Sequence, residues 1–183
     1  MKKIAGYSFK CIFKQTVIYG MILGVFMEIM NILDYTVGFY EHSQIINNIK
    51  YLLRIFGLLT CVIIFRKKIG GYISFDIAFI FCLFTFVFAM LTYDTIICIT
   101  FNIYPELLHN KISVMREALQ NAGISGRVVE LSADNALWGK NPYYVIFSFI
   151  VWVLFVGPVL SFIFALMVQK NKMSGKNTQP FSF

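Results

Sequence analysis

Charge is scarce in this chain: Asp, Glu, Lys and Arg make up 14% of its 183 residues, against about 25% in a typical soluble domain. Histidine is scarcer still, with His42 and His109 as the only two. The sequence has no G-x-S-x-G, no H-E-x-x-H, no phosphate-binding glycine loop and no paired catalytic carboxylates, so the usual scaffolds for hydrolytic, metalloprotease or nucleotide chemistry are missing. Neither histidine lies in an apolar run, which leaves an intramembrane nucleophile without a base. The four cysteines, Cys11, Cys61, Cys82 and Cys98, show no C-x-x-C spacing, and three of them sit within apolar runs, where they read as small hydrophobes. A single Glu106-Leu107-Leu108-His109 has the Glu-x-x-His spacing of di-iron sites but none of the further carboxylates they need. We therefore expect a non-enzyme with no cofactor and no metal.

What the chain has in abundance is apolar surface. Hydrophobic residues reach 58% and the mean hydropathy is +0.73, and they fall in runs long enough to cross lipid. The formal charge of +7 flanks those runs instead of forming one basic face, so nucleic acid is not an expected partner. The lipid bilayer is.

A short turn, Arg66-Lys67-Lys68-Ile69-Gly70-Gly71-Tyr72-Ile73-Ser74-Phe75, organises the layout. Three adjacent cations in a short loop hold it on the cytoplasmic side. Gly70-Gly71 permits the turn, and Ser74 is placed to cap the next helix. Working outward predicts an all-α antiparallel bundle of four transmembrane helices, at about 15–37, 49–65, 74–103 and 143–168. An external segment, 104–142, joins the last two, residues 1–168 form one domain, and 169–183 is a disordered cytoplasmic tail. A cleaved signal peptide is disfavoured at the start, because the first apolar run is long, contains Glu28 and lacks a small-residue cleavage pattern. Both termini are expected in the cytoplasm: Lys2, Lys3, Lys10 and Lys14, the basic turn, and Lys170, Lys172 and Lys176 place ten of the sixteen cations there.

Within the external segment, Pro105 and Glu106 suit a helix start, and Leu107, Leu108, Ile112, Met115 and Leu119 recur at helical spacing until Gly123. This predicts an amphipathic helix that lies on the membrane surface or caps the bundle. A shorter helix is expected from Ser132 or Asp134, with Trp138 at headgroup level. Gly157-Pro158 should disturb the fourth span, with Ser161 available to satisfy the freed carbonyl.

Three charges fall inside the spans: Glu28, Arg54 and Asp94. Each is costly alone in lipid, about 2.5–3.5 kcal/mol for Arg or Asp at mid-helix on the insertion scale. The expectation is a Glu28–Arg54 ion pair with Asp94 in reach, serving either helix register or an ion path. The alternative is that Arg54 snorkels to the headgroups. Gly20 and Gly24 form a G-x-x-x-G that admits a close helix neighbour, within the monomer or in a dimer.

The basic N-terminus, the Gly-x-x-x-Gly helix, the basic turn opening into Gly-Gly-Tyr-Ile-Ser-Phe, and Tyr104-Pro105-Glu106 before an amphipathic helix together resemble a bacterial group, domain-of-unknown-function family forty-one ninety-nine. The resemblance covers nearly the whole chain and implies a four-span protein of the Gram-negative inner membrane, with no catalytic or binding residue to carry over. Two functions remain in view. One is an accessory or assembly subunit that contacts a membrane-protein partner, or itself as a homo-oligomer, through Gly20 and Gly24 or the amphipathic helix. The alternative is a small proton- or ion-coupled transporter or channel using Glu28, Arg54 and Asp94.

Overall fold

Helix α3 (Phe75–Ile103) is apolar on every face and stands at the centre of the bundle. The computed structural model describes residues 3–4, 7–37, 44–137 and 141–169. Around α3 pack α1 (Phe9–Val37), α2 (Gln44–Lys68), α4 (Pro105–Asn121), α6 (Pro142–Val151) and α7 (Gly157–Val168), while α5 (Gly126–Leu137) lies against α4. A two-residue antiparallel pairing, β1 (Lys3–Ile4) with β2 (Tyr7–Ser8), precedes α1. The described residues are otherwise helical apart from the connections.

Among the described residues, three helices are long and apolar enough to cross a membrane, over Lys10–Leu33, Phe75–Ile103 and Val145–Val168. The expected second span, 49–65, corresponds to α2, which is 25 residues long, carries Lys50, Arg54 and Arg66-Lys67-Lys68, and is not among the three. The expected loop at 38–48 is shorter at its end, since α2 begins at Gln44; residues 38–43, Trp138 and the tail from 170 lie outside the described residues.

The basic turn closes through backbone bonds from Ile69 N–H to the Phe65 carbonyl and from Gly71 N–H to the Arg66 carbonyl. Gly70 and Gly71 take φ of +96° and +84°, which only glycine adopts without strain. The cations also clamp neighbouring helices: Arg66 Nη1 donates to the Val168 carbonyl at 3.1 Å, and Lys68 Nζ donates to Gln15 Oε1 at 2.9 Å. Arg66 thereby satisfies a carbonyl at the end of α7 that has no helical partner. Lys67 is exposed. Ser74 differs from expectation. Its side chain makes no cap bond and its Oγ is buried without a partner; only its carbonyl engages the helix, accepting from Ala78 N–H at 3.0 Å.

Gly20 and Gly24 sit where α1 crosses α3. A Cβ at Gly20 would lie 2.5 Å from Phe88 Cβ, and one at Gly24 would lie 2.5 Å from the Ala89 carbonyl oxygen. The G-x-x-x-G is thus consumed inside the monomer. Below it, the core stacks Phe65 on Phe81 at 4.0 Å, with Tyr19 edge-on to Phe81 at 5.9 Å.

Helices α4 and α5 cap the bundle. Leu108 and Ile112 of α4 and Ala133 of α5 are buried against Ile97 and Phe101 at the end of α3. Gly123, with φ +72°, ends α4. Helix α5 begins at Gly126, well before the expected Ser132 or Asp134, because the Ser125 carbonyl accepts from both Val128 and Val129 N–H, and Val129 is buried. Arg116 Nη2 reaches Glu130 Oε2 at 2.8 Å between the two helices, with both side chains largely exposed. Exposed pairs contribute little, so Arg116→Ala should change the unfolding free energy by less than about 1 kcal/mol; a thermal melt in detergent reads this directly.

Asn141 caps α6 by accepting from Tyr143 N–H at 3.0 Å, with Pro142 at the first turn. The helix then widens into a π turn, Trp152–Val156, before α7. Pro158 supplies no backbone donor and crowds the preceding turn, and the extra residue in the π turn accommodates it. Ser161, expected to satisfy the freed carbonyl, is buried with its Oγ unpartnered.

Candidate functional site

Polar side chains converge where the α4 end of α3 meets α1 and α2. Asn31 lies one helical turn after Glu28 on the same face of α1 and is the hub. Its Nδ2 donates to Glu28 Oε2 at 3.3 Å and to the Tyr93 hydroxyl at 2.9 Å. Its Oδ1 accepts from Arg54 Nη2 at 2.8 Å. The expected Glu28–Arg54 contact is therefore a relay: both groups bond Asn31, and Glu28 Oε1 is buried with no hydrogen-bond partner. The physical reason is reach. Tyr51 and Tyr93 hold the Arg54 guanidinium, their ring centroids 5.5 and 5.3 Å from its carbon, and cation–π attraction is effective at that range. Arg54 turns into the bundle and does not snorkel.

Helix α4 adds a fourth charge to the three expected within the spans. Lys111 shares the face of α4 that carries Leu108 and Ile112, and its Nζ stands 5.2 Å over the Phe101 ring. Burial pushes its ammonium below the usual lysine range, and the Glu28 carboxylate opposes that shift. A cation three residues from Leu108 on an apolar face was the available signal.

Asp94 is the remaining one of the three charges expected within the spans. It is 8% exposed, and its Oδ2 has no hydrogen-bond partner. It does not join the Asn31 relay. Instead it lines a cavity of about 390 Å³ together with Arg54, Lys111, Tyr51 and Tyr93. The size lies within the range of small-molecule sites, about 300–1,000 Å³. One wall is α2, the floor is α3 with Leu23 and Met27 of α1, and the facing wall is α6, the π turn and Leu160 of α7. Ser148, Trp152 and Val156 come from that last wall, and no charge or motif there advertised them. Helix α2 packs on α1, α3 and α7, while α6 packs on α3, so the space between α2 and α6 stays open.

Glu106 and His109 are exposed on α4, and no group of three or more His, Cys, Asp or Glu comes together among the described residues.

No curated protein and no solved structure matches the chain. The family model described as a protein of unknown function, DUF4199, matches residues 18–170, and the chain accordingly belongs to that family.

Proposed function

We propose that this chain is a four-span, non-enzymatic protein of the bacterial inner membrane, with both termini cytoplasmic, that works as a small transporter or channel. Its substrate pathway is the cavity between α2, α3 and α6–α7. The observation that carries this reading is that the cavity reaches two intramembrane charges, Arg54 and Asp94, with buried Glu28 one relay away. Charges at that depth are costly unless a pathway or a partner uses them. For α2 as a membrane span beside the other three, its 25 residues extend about 37 Å at helical rise, enough for the hydrocarbon core. The accessory-subunit reading loses support because Gly20 and Gly24 are filled by α3 and present no groove to a partner.

Reconstitution into liposomes tests the proposal. Wild type should carry proton or ion flux above empty vesicles. Asp94→Asn should reduce that flux by about tenfold or more, the scale of one lost contact to a charged group. Flux equal to that of empty vesicles, combined with stoichiometric recovery of a second membrane protein from native membranes, would instead restore the accessory reading.

A further inference from the structure

The cavity is polar at one end and apolar at the other. On α3 its lining runs from Phe86 to Phe101, and on the opposite wall from Val145 to Leu160, each about 22 Å at helical rise. Arg54, Asp94 and Lys111 lie toward the α4 end, and Phe86, Val156 and Leu160 toward the other. Tyr51 and Trp152 face the cavity from α2 and from the π turn, yet 55% and 40% of their surfaces are exposed. They mark a mouth between the two helices. That mouth opens on the flank of the bundle, where neighbouring residues such as Leu52 and Phe155 are also exposed. On a membrane-spanning bundle this is the lipid-facing side.

The polar end brings both signs of charge, Arg54 and Asp94, to one cavity. Arg54 has five N–H donors, and its one side-chain hydrogen bond among the described residues uses Nη2 on Asn31. Asp94 Oδ2 is a buried acceptor with no donor. A purely anionic ligand would meet Asp94, and a purely cationic one would meet Arg54 and Lys111. A ligand bearing an anion and an ammonium a few atoms apart satisfies both sides.

We propose that the cavity binds a lipid-borne zwitterion entering between α2 and α6: an aminophosphate headgroup with its phosphate on Arg54, its ammonium on Asp94 and its acyl chain along α3 toward Phe86 and Leu160. This rests on the cavity being the functional site, as proposed above, and names its substrate class. The Arg54 guanidinium, within 5.5 Å of the Tyr51 and Tyr93 ring centroids, carries the forked donor set that phosphate oxygens accept. The apolar length of the cavity favours a lipid over a free solute.

Native mass spectrometry of the full chain in mild detergent tests this with phosphatidylethanolamine, phosphatidylglycerol and soluble phosphoethanolamine as probes. Wild type should retain one phosphatidylethanolamine in preference to phosphatidylglycerol. Asp94→Asn and Arg54→Gln should each weaken retention by about tenfold or more. Val145→Trp, which fills the facing wall without altering a charge, should abolish it. Unchanged elution volume and unchanged shielding of buried Cys82 from maleimide certify the fold of each variant. Equal retention of the two lipids, or retention indifferent to all three variants, would mean unspecific annular lipid and overturn the proposal. Competition by soluble phosphoethanolamine as effective as the lipid would overturn the lipid source. Absent flux with specific phosphatidylethanolamine retention rejects transport and leaves this site standing; flux with unspecific lipid does the reverse.

Discussion

Asn31→Leu should lower the unfolding midpoint by on the order of 10 °C, the largest effect expected of any single polar substitution in this chain. The size does not come from counting hydrogen bonds. Neutral interhelical bonds within membranes average only about 0.6 kcal/mol, so Tyr93→Phe, which removes one of them, should shift the midpoint by a degree or two at most (about 2–4 °C per kcal/mol for a chain of this size). What decides the outcome is charge. Asn31 supplies the hydrogen bond to Glu28 Oε2, and Glu28 Oε1 already has none. Leucine would leave the carboxylate, which is 1% exposed, without a donor, and Arg54 without its acceptor. Stranding a buried charge costs about 3–5 kcal/mol. Adding Glu28→Gln should recover part of the loss, because the stranded charge is then gone. Maleimide labelling of Cys82, which is fully buried in the core, reports the midpoint in detergent once the more accessible Cys11, Cys61 and Cys98 are replaced by Ser. Equal midpoints for Asn31→Leu and Tyr93→Phe would show that Asn31 is not the hub.

The second large effect belongs to the α1–α3 crossing. Gly20→Leu and Gly24→Leu should each destabilise by about 1–3 kcal/mol, the usual range for overpacking. Even alanine should be felt there. Its Cβ at Gly20 would stand 2.8 Å from the Thr85 carbonyl oxygen besides Phe88, and at Gly24 it would stand 2.7 Å from Thr92 Cβ besides the Ala89 carbonyl. Those carbonyls belong to the backbone of α3 and cannot swing aside. Between helices in lipid no hydrophobic force compensates a lost contact, since packing itself holds them together. Gly57→Ala provides the contrast, because its only near neighbour among the described residues is Leu23 Cδ1, at the tip of a flexible side chain. Gly126→Ala provides another, since nothing lies within 4 Å, and it should be neutral or stabilising by up to about 1 kcal/mol. Variants at Gly20 and Gly24 should lose thermal stability while keeping their oligomeric mass. A change of mass with an unchanged midpoint would show that the glycines serve an interface between copies.

These two sites differ in how far the sequence revealed them. The glycine spacing announced a close helix crossing, but the choice between a monomer contact and a dimer needed the position of Phe88 and Ala89 on α3. The intramembrane charges stood out for the same reason they are costly, and Glu28, Arg54 and Asp94 were legible one by one. Their connections were not. Asn31 is a common residue one turn from Glu28, and nothing in the chain marks it as the group that Arg54, Glu28 and Tyr93 share. Lys111 was hidden differently. As one cation in a charge-balanced segment it suggests solvent, and only the docking of Leu108 and Ile112 on Phe101 brings it over the bundle.

Local chemistry was determined by sequence alone. Runs of apolar residues form helices long enough for lipid, because the backbone must satisfy its own hydrogen bonds there. Gly70-Gly71 forces a turn, Asn141-Pro142 starts a helix, and Gly157-Pro158 interrupts one, because each acts within a few residues of itself. The tertiary structure decided everything that depends on relative rotation of the helices. Rotating α2 by one residue, about 100° at 3.6 residues per turn, would carry Arg54 out of reach of Asn31 while leaving every local pattern intact. Which charges meet, which face the cavity and which glycines are filled are set by packing between helices far apart in the chain, and there the close approach of α1 to α3 and the gap between α2 and α6 made the site.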